Sequence, residues 1–82
     1  MAKQDKLKSK LLDHRRTFTW QELSSLLKIL GYQEIQGNGS RVKFDNGNPD
    51  DLINLHRPHP GNEIKRYAIR QVIEKLKQAD LI

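Results

Sequence analysis

The chain has 82 residues, 35% hydrophobic and 30% charged, with no cysteine and a net charge of +5. Such a length supports one small domain with a thin core and a shallow surface site; the missing cysteines exclude disulfides and thiolate metal sites and fit a reducing cytoplasm, and no apolar run or leader pattern points to a membrane or to secretion. A pI near 9.8 favours polyanionic partners, whether nucleic acid, an acidic protein or a membrane surface.

Residues 1–16 are lysine-rich and carry Leu7, Leu11 and Leu12. That spacing gives a narrow apolar stripe and predicts a short helix, with a frayed basic arm as the alternative. Residues 17–82 hold the remaining elements. Thr19 and Glu22 stand three apart ahead of an apolar run, a capping box, and Phe18 and Leu23 are placed for a hydrophobic staple. Trp20, Leu23, Leu26, Leu27 and Leu30 form one face of the predicted helix, which makes Trp20 a core residue rather than a base-stacking platform. Gly31 is the expected left-handed stop.

Three strands follow, at 32–36, 40–44 and 52–56, separated by Gly37-Asn38-Gly39 and by the turn-rich run 45–50. Strand alternation sets Val42 and Phe44 against Arg41 and Lys43, and Ile53 and Leu55 against Asn54 and His56. With the apolar sets turned to the helices, Arg41, Lys43, Asn54 and His56 share the open face of an antiparallel sheet. A last helix, from Ile64 or Lys65 to Ala79, buries Ile64, Ala68, Val72, Ile73 and Leu76 and carries Lys65, Arg66 and Arg70 near its start. The fold class is α+β, with a three-stranded meander between helices in two layers.

The segment His56-Arg57-Pro58-His59-Pro60 concentrates the chemistry. Histidine exchanges protons near neutral pH, arginine grips phosphate through a planar fork, and the prolines restrict the turn between them. Cleaving RNA through its 2′-hydroxyl needs a base there, an acid at the leaving 5′-oxygen and positive charge on the phosphate. His56 and His59 fit the proton-transfer roles, Arg41 and Arg57 the charge, and no metal or cofactor is required. Ordering of a surface turn is the structural alternative for both histidines. Taken with His14 they make a poor zinc set, because no cysteine or carboxylate completes it. Gly37-Asn38-Gly39-Ser40 lets backbone approach a phosphate, or makes an ordinary hairpin turn; it lacks the Gly-Lys-Ser/Thr ending of a P-loop. Lys65, Arg66 and Arg70 stand where a helix N-terminus disfavours cations, which hints at an anionic ligand.

Gly39-Ser40-Arg41-Val42-Lys43-Phe44, then the histidine-bearing third strand, then the basic start of the last helix, resembles the HicA toxins of bacterial HicA–HicB toxin–antitoxin pairs over roughly residues 17–82. The resemblance implies a double-stranded-RNA-binding-domain-like αβββα fold. It further implies a metal-independent endoribonuclease that cleaves mRNA to arrest translation and is neutralised by a HicB-like antitoxin, here expected to cover the open face with an acidic surface. The family's usual Gly-Ser-His reads Gly39-Ser40-Arg41 here, so the expected catalytic residues are His59, which matches a family histidine just before the last helix, and His56. The expected RNA-binding set is Gly39, Ser40, Arg41, Lys43, Arg57, Lys65, Arg66 and Arg70. A noncatalytic RNA-binding domain and a protein-interaction module remain the two alternatives.

Overall fold

The computed structural model describes residues 3–13, 15–59 and 61–82; His14, weighed above as a metal ligand, and Pro60 of the proline turn lie outside the described residues, as do Met1 and Ala2. The element order is helix α1 (Lys3–Leu12), helix α2 (Trp20–Ile29), strands β1 (Gln33–Gln36), β2 (Arg41–Asp45) and β3 (Ile53–His56), and helix α3 (Arg66–Gln78). The strands form one antiparallel sheet in the order β1-β2-β3. The class is α+β, as the periodicities predict, and the helical form of the N-terminal segment is the one observed.

Local chemistry explains the boundaries. Thr19 caps α2 by accepting from the Glu22 N–H at 3.3 Å, while Glu22 Oε1 accepts from the Thr19 N–H at 3.0 Å. Gly31 ends the helix at φ +99°, a conformation that costs a residue without a Cβ little. The run between β2 and β3 is a chain of side-chain-closed turns: Asp45, Asn46 and Asn48 each accept from the N–H two residues on, at 2.8, 3.0 and 3.0 Å. Pro49–Asp51 then makes one tight helical turn.

Several expected boundaries shift by a residue or two, and two of the shifts bear on the site. Ser40 lies in the β1–β2 turn rather than in β2, which opens at Arg41. Ile64 is not helical: Lys65 caps α3 and Arg66 opens it. Ile64 is buried all the same, because its N–H donates to the Phe18 carbonyl at 2.8 Å and Thr19 pairs with Glu63 in an isolated bridge. That bridge straps the segment before α3 to the start of α2.

A single core joins the layers. Leu23, Leu26 and Leu27 of α2, Val42 and Phe44 of β2, Ile53 and Leu55 of β3, and Val72 and Leu76 of α3 are all buried in it. Trp20 belongs to the same cluster, its ring 5.7 Å from that of Phe44. Helix α1 packs on α2 and α3 and sends Leu7 and Leu11 into the core, whereas Leu12 stays 48% exposed. Among the described residues, no helix is long and apolar enough to cross a membrane.

The Glu22 carboxylate also binds the Lys10 ammonium of α1, so one side chain caps α2 and fastens α1. Burial pushes its pKa up, but the Lys10 ammonium and the Thr19 hydrogen bonds outweigh that and hold it below the ordinary 4.5. A depressed folded-state pKa adds stability above the unfolded-state value and loses it as pH falls through the folded one. Thr19→Ala is expected to cost about 1 kcal/mol at neutral pH. Glu22→Gln is expected to flatten the loss of stability below the ordinary carboxylate range, read as the urea midpoint across an acid series. An acid slope in Glu22→Gln equal to that of the parent protein would dissociate this carboxylate from acid stability.

Candidate nucleic-acid interface

The helices cover one face of the sheet, and alternation along β2 and β3 decides what the other face presents. Arg41, Lys43, Asn54 and His56 are exposed while Val42, Phe44, Ile53 and Leu55 are buried. The β2–β3 register places Arg41 directly opposite His56 and Lys43 opposite Asn54. Directly opposed residues hold their Cβ atoms about 5 Å apart, so the Arg41 guanidinium and the His56 imidazole can reach one phosphate together.

The turn between β1 and β2 completes this end of the face. Gly37 donates to the Arg41 carbonyl at 2.8 Å, and a Cβ on Gly37 would stand 3.2 Å from that oxygen and 3.3 Å from the Arg41 Cβ. Glycine therefore lets the turn close against Arg41. Gly39 takes φ +62° and turns the chain so that Ser40 meets the end of β3. There a 3.3 Å hydrogen bond joins Ser40 Oγ and His56 Nδ1, and the Arg57 N–H donates to the Ser40 carbonyl at 2.7 Å. These bonds orient the His56 ring and leave its Nε2 side available.

A shallow groove of about 440 Å³ runs over this surface, lined by Gly37, Asn38, Arg41, Lys43, Asn54 and His56 among others. His56 also borders a smaller hollow of about 230 Å³ with Arg57, Pro58, His59, Glu63, Lys65 and Tyr67. His56 thus stands where the two depressions meet, and His59 and Lys65 line the second.

The remaining predicted residues are gathered here only in part: Arg57 lines the second hollow but is also bound elsewhere, and two other arginines lie apart. Alternation continues past β3 and turns Arg57 to the helical side, where its Nη2 donates to Glu34 Oε2 at 3.1 Å and its guanidinium lies 5.6 Å from the Trp20 ring centroid. Glu34 is itself held by the Ser24 hydroxyl, which donates at 2.6 Å. Arg57 is therefore part of a clamp that links the segment after β3 to α2 and Glu34, and it lines the His59 hollow as well. Arg66 and Arg70 border a different groove, shared with Leu11, Leu12 and Arg16.

Tyr67 is a further candidate, to which the sequence assigns no role. It is 68% exposed, the most exposed of the large hydrophobic side chains among the described residues, and it lines the His59 hollow. Its signal was its place off the Ile64, Ala68, Val72 stripe. An exposed ring beside a basic surface offers a base a face to stack on. Tyr32, by contrast, is buried and donates to the Asp51 carbonyl at 3.1 Å; burial and then the Asp51 charge push its phenol pKa up.

A family model described as the HicA toxin of bacterial toxin–antitoxin matches residues 20–81. No curated protein and no solved structure matches the chain.

Proposed function

The chain belongs to the HicA toxin family, whose membership implies a cognate antitoxin, and from that premise we propose that this toxin binds mRNA on the open face of its sheet and cleaves it without a metal. The observation that carries the reading is the pairing of Arg41 with His56 across β2 and β3, with Ser40 holding the imidazole and His59 and Lys65 lining the adjoining hollow. One histidine takes the proton from the 2′-hydroxyl, whose oxygen attacks the phosphorus. The other gives a proton to the departing 5′-oxygen. A 2′,3′-cyclic phosphate and a 5′-hydroxyl result, and the Arg41 guanidinium and Lys43 ammonium offset the charge that builds on the phosphate.

Arg41 stands where the family's usual histidine does, so in this reading it holds phosphate and moves no proton. Arg41→Lys keeps the charge but loses the planar fork, and is expected to retain part of the activity; Arg41→Ala is expected to lose about tenfold or more. Arg41→Ala cleaving like the parent protein would remove the phosphate role. The reading as a whole is tested by mixing the purified protein with RNA, with and without a chelator. Cleavage that resists the chelator supports it. Binding without cleavage leaves a noncatalytic RNA-binding toxin, and no affinity for RNA at low salt leaves a protein-interaction module.

The same face is the expected target of the antitoxin, since a shallow basic site is blocked by an acidic surface laid over Arg41, Lys43, His56 and His59. Attraction between opposite charges makes such an association fast and salt-sensitive.

A further inference from the structure

The groove between α1 and α3 is set apart from the proposed RNA face, and one of its walls comes from outside the matched family region of residues 20–81. We propose that this groove docks an acidic amphipathic helix of a partner protein, as a second attachment point away from the open face of the sheet.

Helix α3 has two useful faces. Val72 and Leu76 enter the core, whereas Arg66, Ile69, Arg70 and Ile73 recur at the three- and four-residue spacing of a second stripe. That stripe faces Leu11, Leu12 and Arg16, and the two walls bound about 430 Å³. The floor is apolar: Leu12 is 48% exposed, and Ile69 and Ile73 are only half-buried. The rim is cationic. Among the described residues, no carboxylate lies within ion-pairing distance of Arg16, Arg66 or Arg70. Asp13, the acid in the groove, is already bound to the backbone N–H and the Nε of Arg15, at 3.1 and 3.4 Å.

Charge complementarity selects the occupant. Arg66 and Arg70, with no ion pair among the described residues, and Arg16, which has only the longer-range attraction of Asp13, call for carboxylates or phosphates, and an apolar floor calls for aliphatic side chains. An RNA backbone supplies phosphates but has nothing aliphatic to cover Leu12, Ile69 and Ile73. An amphipathic helix supplies both, with apolar side chains every three or four residues on the floor and glutamates along the rim. The arrangement also explains why Leu12 stays exposed although α1 is firmly docked through Leu7 and Leu11.

The test uses the full chain and a fluorescent helical peptide of about four turns with leucines on one face and glutamates beside them. A peptide of the same composition in scrambled order serves as the control. Expected is saturable binding of the patterned peptide, about tenfold weaker in Arg66→Glu/Arg70→Glu, several-fold weaker in Leu12→Ser and unchanged in Arg41→Ala. Thermal melts of each variant matching the parent protein show that the fold is intact, and Arg70→Gln gives the charge effect without a reversal. Equal binding of the scrambled peptide overturns the proposal, as does loss of binding in Arg41→Ala. An RNA oligonucleotide that displaces the peptide and is itself weakened by Arg70→Gln, but not by Leu12→Ser, makes the groove a nucleic-acid surface instead.

Discussion

Replacing both His56 and His59 with alanine is expected to lower RNA cleavage by about 100- to 10,000-fold, the range that loss of a general acid–base group commonly costs. Both side chains are exposed, so the substitutions remove proton-transfer groups without opening a cavity in the core. The single variants carry different information. His56 faces Arg41 and is oriented by Ser40, so His56→Ala removes the imidazole beside the proposed phosphate position. His59 sits in the adjoining hollow near Lys65 and Tyr67, so His59→Ala tests the second proton transfer. Cleavage of a labelled RNA by each variant, with melting curves alongside, checks the assignment. A double variant that cleaves like the parent protein would falsify the roles given to both rings while leaving the surface available for RNA binding.

Phe44→Ala is expected to remove a large part of the stability of the domain. Phe44 is fully buried on the central strand, between Glu34 of β1 and Ile53 of β3, with its ring against Trp20. Truncating a buried phenylalanine costs about 3–5 kcal/mol, as lost transfer energy plus the cavity left behind. A chain of this length has only about 4–12 kcal/mol of net stability to lose. The variant should therefore show a much lower urea midpoint and weakened near-ultraviolet circular dichroism from the Trp20 environment. Ile35→Ala is the comparison: Ile35 is 41% exposed, and its loss should change stability by no more than about 0.5 kcal/mol. Similar midpoints for the two variants would mean that the core does not centre on Phe44.

Much of the fold follows from local periodicity. The capping box of Thr19 and Glu22, the stop at Gly31 and the apolar stripes of α2 and α3 depend on residues within a few positions of one another, so they can be read from the chain. Strand alternation likewise put Arg41, Lys43, Asn54 and His56 on one face, because a period of two leaves no other choice once Val42, Phe44, Ile53 and Leu55 are buried. Register is a different matter. That Arg41 opposes His56, and that Ser40 reaches the imidazole, depends on how the turn at 37–40 closes, and Gly37 and Gly39 settle that only when the strands pair.

Packing between elements decided the rest. Arg57 is expected from the sequence to be a phosphate ligand beside His56; packing adds a second set of contacts, to Glu34 and Trp20, while it still lines the His59 hollow. Lys65, Arg66 and Arg70 looked like one basic cluster. Lys65, at the cap, borders the His59 hollow, whereas Arg66 and Arg70, less than a turn and a half apart on α3, line the α1 groove. Sequence spacing fixes which side chains share a face of a helix or strand, but not which neighbour that face will meet. The sequence by itself therefore determined the elements and the open, basic sheet face; the tertiary structure alone divided the cations among that face, a clamp and a groove, because the neighbours that separate them come from distant parts of the chain.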